Sequence, residues 1–117
     1  MPYLRFKGFT GDLLRSIAPR VVDEFAQLVG IAKEKVKIEQ LLTETITQVP
    51  CSVEILMFPR KQEVHDAVAS ALNKLLCECG YDQVHIFYVL LSPSLYYKNG
   101  EPLAPAQPVP GTAEGVT

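Results

Sequence analysis

Nowhere in this 117-residue chain does an apolar run approach the roughly 18 residues that a membrane-crossing helix needs, so no membrane partner is expected. Basic clusters are missing as well. The 11 Lys and Arg are scattered among 13 Asp and Glu, the net charge is −2 and the pI is about 5.6, which leaves no electrostatic footprint for nucleic acid. Asp12 and other polar residues interrupt the first twenty positions, so no secretory signal is expected and the cytoplasm is the expected compartment. Cysteine is scarce and odd in number: Cys51, Cys77 and Cys79 argue against an extracellular disulfide framework. Cys77 and Cys79 form a C-x-C pair, but His65 and His85 do not stand at spacings that would complete a zinc site. No metal and no cofactor is expected, and the three cysteines read as small, reduced, largely buried side chains.

What the chain does contain is enough apolar material for one domain, 48% against 21% charged. "YLRFKGF" sets Leu4, Phe6 and Gly8 on one face and Tyr3, Arg5 and Lys7 on the other, the period of a half-buried strand. "TGD" is a turn and helix start. Over residues 13–29, Leu14, Ile17, Val21, Phe25 and Leu28 recur at three- and four-residue steps, an amphipathic helix capped by Gly30. Pro19 inside it predicts a kink, or a helix that begins properly only near that residue. A second strand is expected over residues 36–46.

The pattern then repeats. "VPCSVEILMF" reads as a strand, "PRKQ" as a turn, and Val64, Ala67, Val68, Ala71, Leu72 and Leu75 as a helical stripe closed by Gly80. "VHIFYVLL" is a continuous apolar strand. Pro2 and Pro50, Phe9 and Phe58, Gly30 and Gly80, and Val36 and Val84 stand 48 to 50 residues apart. Two copies of one strand–helix–strand unit follow, about 2–47 and 49–92, each crossing over to make its own strands parallel. The predicted fold is α+β: a two-layer sandwich with a four-stranded sheet and two helices on one face. Because the last strand is apolar on both sides, one helix layer cannot bury it, and self-association is expected. Arg5 and Glu54, 49 apart, are expected to pair across neighbouring strands on the inner face. One domain spans 1–101. The Pro-rich segment 102–117 reads as an extended tail, because Pro102, Pro105, Pro108 and Pro110 exclude a helix or central strand.

Taken in order, "MPYLRF", "VEILMFPRKQ" and "LYYKNGE" in a duplicated chain of this length resemble the tautomerase superfamily, which includes 4-oxalocrotonate tautomerase and macrophage migration inhibitory factor. The likeness covers roughly residues 2–101 and is nearest to an uncharacterised bacterial branch beginning MPxLRF. It implies a homotrimer and a cofactor-free keto–enol tautomerase or isomerase acting on a small 2-oxo or enol carboxylate. It makes Pro2 the general base and acid. That chemistry requires removal of Met1, since with Met1 retained the Pro2 nitrogen is a tertiary amide without basicity. The alternative reading of Pro2 is a plain strand start, a position proline tolerates.

The resemblance also assigns substrate-binding residues. Arg60, in the turn before the second helix, stands where the family grips a carboxylate, for which a guanidinium fork is suited; an exposed turn arginine is the other reading. Lys37 matches a further family arginine and offers a point charge for a carbonyl, or is a surface lysine. Tyr96 matches the aromatic wall of the family's pocket, and the adjacent Tyr97 can replace it. His85 is expected to be a hydrogen-bonded structural group. The first half has Gly11 or Asp12 where the second has Arg60, and Pro50 is internal, so at most one centre per chain is expected. From another class, a non-catalytic trimeric binding or assembly protein on the same scaffold fits these residues too.

Overall fold

A computed structural model describes residues 2–106. The first unit comprises strand β1 (Tyr3–Lys7), helix α1 (Gly11–Val29) and strand β2 (Lys37–Leu41). The second comprises β3 (Ser52–Met57), α2 (Gln62–Glu78) and β4 (His85–Leu90). The sheet order is β2-β1-β3-β4. Each unit pairs its own two strands in parallel, and the units join through antiparallel β1 and β3. The α+β sandwich with duplicated halves is the architecture expected from the repeat.

Alternation along β1 and β3 sorts the sheet into two faces. Leu4, Phe6, Val53, Ile55 and Met57 point to the helices and are buried, and they meet Leu14, Val21, Phe25, Val68, Leu72, Leu75 and Leu76 from α1 and α2. Both helices present these residues at three- and four-residue spacing, which gives each one an apolar stripe. The Thr10 hydroxyl accepts from the Leu13 N–H at 3.1 Å and caps α1, so the helix starts well before Pro19 and runs continuously through it. Of the two outcomes expected at Pro19, the late start does not occur. The ring of Pro19 lies on the exposed side.

Other boundaries shift for identifiable reasons. β2 stops at Leu41 instead of reaching 46, because β1 offers only five partners before Gly8 turns away with φ +94°. β3 occupies only Ser52–Met57, flanked by Pro50 and Pro59. The cysteines are free but not largely buried: Cys77 is exposed, and Cys51 and Cys79 are half-buried. Arg5 does face Glu54, at 3.9 Å, but its closer partner is Glu39 at 2.9 Å, so the arginine bridges β2 and β3. His85 is exposed on the open face with no side-chain hydrogen bond among the described residues, in contrast to the structural role expected of it.

Beyond β4 the chain is more ordered than its prolines suggest. β5 (Tyr97–Lys98) and β6 (Glu101–Pro102) form a small hairpin. Asn99 and Gly100, with φ 54° and 80°, make its turn, the conformation an Asn-Gly pair favours. The Leu103 N–H closes the segment by donating to the Pro93 and Tyr96 carbonyls at 3.1 and 3.0 Å. Pro102 therefore takes part in an edge pairing, where a missing N–H is tolerated. The remainder of the expected tail, 107–117, lies outside the described residues.

Gly8 is where the two halves press together. A Cβ there would stand 2.9 Å from the Cys51 Sγ and 3.2 Å from its Cα, on a backbone already at positive φ. Gly30 has positive φ but open space around it. Gly8→Ala should destabilise the fold by about 1–3 kcal/mol, and Gly30→Ala by only about 1 kcal/mol. Urea unfolding of both variants checks this, and equal losses would remove the packing explanation.

Candidate functional site

The antiparallel joint sets Tyr3 opposite Leu56, so Pro2 lies beside the end of β3, where the chain leaves toward Phe58, Pro59 and Arg60. Pro2 is buried, and its carbonyl accepts from the Lys37 N–H at 2.9 Å. Having no N–H to offer, proline fits this first strand position. Pro2 and Arg60 line one cleft with Val29, Ile31, Met57 and Phe58, a hollow of about 30 Å³. Four apolar side chains thus surround the Pro2 ring, and a single cation stands at the rim. The largest hollows lie elsewhere. One of about 480 Å³, at the far end of β1 beside Pro50, is a broad concavity under the exposed segment 42–50. It does not include Pro2 or Arg60, the two residues that the sequence singled out and that share the smaller cleft.

The Arg60 guanidinium is exposed. Among the described residues it makes no ion pair, and its one contact is the Pro59 carbonyl at 3.4 Å. Lys37 is joined to Pro2 through the main chain, but its Nζ turns back to the Glu34 carbonyl at 2.9 Å. Tyr96 packs edge-on against Phe58, with ring centroids 5.8 Å apart, and so stands behind the cleft wall. A hydrogen bond with Tyr3 pushes the Tyr96 phenol above its ordinary value. Tyr97 is exposed on β5. The fold therefore brings Pro2, Arg60 and, through Phe58, Tyr96 together. The charged end of Lys37 and the ring of Tyr97 stay outside.

Two neighbours had not been singled out for this role in the sequence. Phe58 is the wall between Pro2 and Tyr96. His65, on the first turn of α2, is buried and accepts from the Arg60 N–H through Nε2 at 3.0 Å. A neutral imidazole that accepts at Nε2 carries its proton on Nδ1. Nδ1 is buried with no partner among the described residues, an arrangement that ordinarily costs about 1–3 kcal/mol. Tyr88 of β4 stacks edge-on to the His65 ring at 4.3 Å and donates its hydroxyl to the His65 carbonyl at 2.9 Å. The available signal was "PRKQEVH": a histidine five residues after the arginine, one helical turn inside a helix whose N-cap, Lys61, supplies no capping side chain.

Among the described residues no group of three or more His, Cys, Asp or Glu could hold a metal ion, and no helix is long and apolar enough to cross a membrane.

A parallel pair, an antiparallel joint and a second parallel pair, with two helices packed on the sheet, make up a fold that the chain shares with solved tautomerase/MIF-like proteins. The chain belongs to the family described as Domain of unknown function (DUF1904), which matches residues 1–102. No curated protein matches it. A protein of unknown function from Vibrio cholerae O1 biovar eltor str. N16961 is 23% identical over 86% of this chain and 85% of its own, with a TM-score of 0.79. A DUF1904 domain from Sebaldella termitidis ATCC 33386 is 21% identical over 86% and 97%, with a TM-score of 0.78. A fused 4-OT, described as an asymmetric trimer, is 11% identical over 86% and 95%, with a TM-score of 0.70. At these identities the likeness is one of fold.

Burial pushes the Tyr88 phenol up to about 12, with Asp66 adding to the effect. Unfolded tyrosine ionises near 10. Between about pH 10 and 12 the unfolded chain has therefore lost a proton that the folded chain keeps, and folding stability falls as pH rises through that window. Tyr88→Phe should show a shallower fall, so that its stability difference from the wild type narrows from pH 10 to 12. Unfolding free energies measured in that range check this; a constant difference would contradict it.

Proposed function

We propose that this protein, once Met1 is removed, is a cofactor-independent keto–enol tautomerase for a small 2-oxo or enol carboxylate. The observation that carries the proposal is the buried Pro2 ring sharing an apolar cleft with Arg60. A secondary amine enclosed by Val29, Ile31, Met57 and Phe58 is poorly solvated as a cation, and a nearby guanidinium disfavours that cation further. Both effects favour the neutral amine, which takes a proton from the carbon beside a carbonyl and returns it to the oxygen of the resulting enolate. In reverse it takes the enol O–H proton and delivers it to that carbon. Arg60 binds the substrate carboxylate through its two-pronged donor set. Lys37 polarises the carbonyl when its ammonium leaves the Glu34 carbonyl, and Tyr96, or Tyr97 in its place, closes the outer wall.

Removal of Met1 is checked by the intact mass of the purified protein. With phenylenolpyruvate as substrate, Pro2→Ala should lower kcat/KM by about 100-fold or more, while Arg60→Ala should mainly raise KM. Equal rates for wild type and Pro2→Ala end the catalytic reading.

A second reading, a non-catalytic trimeric binding or assembly protein, is favoured by the open sheet face. Phe87 and Val89 of β4 are 46% and 36% exposed, and Leu90 on the same edge strand is 53% exposed. Apolar side chains grouped on an edge strand call for cover. The cleft at Pro2 is also far below the few hundred Å³ of an ordinary ligand site, as expected where a neighbouring subunit supplies the remaining wall. Both readings share a homotrimer. Phe87→Lys should shift the sedimentation equilibrium mass toward monomer, and an unchanged trimer mass at low micromolar concentration would count against burial of this face.

A further inference from the structure

We propose that His65 is a positioning residue that fixes the main chain of Arg60 and thereby aims its guanidinium into the Pro2 cleft. The inference rests on the reading of that cleft as a carboxylate site. Among the described residues the Arg60 side chain has no strong polar anchor, its one hydrogen bond being the 3.4 Å approach to the Pro59 carbonyl. The backbone therefore sets the point from which the guanidinium reaches toward the cleft that Arg60 helps to line. That backbone lies one residue before the N-cap of α2, outside the helix, so its N–H must find an acceptor that is not part of the helical ladder.

His65 supplies that acceptor from inside the helix. Its N–H and that of Val64 donate to the Lys61 carbonyl at 3.3 and 2.9 Å, which closes the first turn, and its ring reaches back across that turn to the Arg60 N–H at 3.0 Å. The ring is itself held by Tyr88, through the edge-on stack and the hydroxyl bond to the His65 carbonyl. The line of support runs from β4 through Tyr88 and His65 to the backbone of Arg60. A phenyl ring at 65 would fill the same space without burying an unpartnered N–H. What the imidazole supplies in return is an acceptor at Nε2.

The test uses the full-length protein with Met1 removed. His65→Phe keeps a ring and loses the acceptor; His65→Leu replaces it if the phenyl is not accommodated beside Tyr88. His65→Gln can offer a side-chain oxygen to the same N–H. Hydrogen exchange of the Arg60 amide, followed by NMR, should quicken at least tenfold in His65→Phe and return to within about threefold of wild type in His65→Gln. The dissociation constant for phenylpyruvate should rise about fivefold or more in His65→Phe and recover in His65→Gln. In an Arg60→Ala background, His65→Phe should add nothing further.

Unchanged exchange in His65→Phe overturns the inference. So does quickened exchange with unaltered phenylpyruvate affinity. Wild-type protein that binds phenylpyruvate yet turns over no phenylenolpyruvate rejects the tautomerase reading and leaves the role of His65 to be decided by these measurements. Wild-type protein that does not bind phenylpyruvate overturns both.

Discussion

The antiparallel register between β1 and β3 is the constraint from which the rest of the site follows. Tyr3 opposite Leu56 and Lys7 opposite Ser52 align the start of one unit with the end of the corresponding strand in the other. Parallel pairing alone would have kept each unit's strand starts together, far from the loop that carries Arg60. The joint is secured on the helix side by Leu4, Phe6, Val53 and Ile55, all fully buried, and on the open side by Arg5 reaching both Glu39 and Glu54. A one-residue slip would exchange these two sets and expose the core, so the register is strongly specified.

The cleft that results combines two environments. Around Pro2 it is apolar, lined by Val29, Ile31, Met57 and Phe58. At the rim it has a cation that is free to meet an anion. Tyr88 and His65 stand behind Arg60, and Tyr96 with Tyr3 stands behind Phe58. Such support is needed because a guanidinium on a loop has little of its own to hold it. The fold places this support on α2 and β4, the elements packed most directly behind the loop.

Much of the architecture was legible because it repeats. Proline, phenylalanine, glycine and valine landmarks near a 49-residue spacing identified two units, and the two helical stripes marked which face each helix buries. The features that were hidden depend on partners remote in sequence. Nothing around residue 42 says that β2 must stop; that follows from Gly8, more than thirty residues earlier, turning β1 away. Glu39 as the closer partner of Arg5 follows from the strand order rather than from the repeat, which pointed only to Glu54. The prolines around 102 drew attention away from "KNGE", although Asn-Gly is a turn signal in its own right. Within the site, Pro2 and Arg60 could be named from the resemblance, and the fold sets them on one cleft. His65 was passed over because a histidine in an amphipathic helix reads as filler until the loop before that helix is seen to need an acceptor.

The tandem arrangement has a consequence for how this protein can vary. In a subunit built from one copy of the unit, every substitution is replicated wherever that unit recurs in the assembly. Here the halves are covalently joined but chemically distinct: the place matching Arg60 holds Gly11 or Asp12, and the place matching the chain start holds an internal Pro50. The first half thus gives the cleft Pro2, Val29 and Ile31 but no arginine, and only its own helix-start turn is released from the cleft's demands. The second half keeps the arginine loop while its partner changes. Fusion has turned internal symmetry into a division of labour.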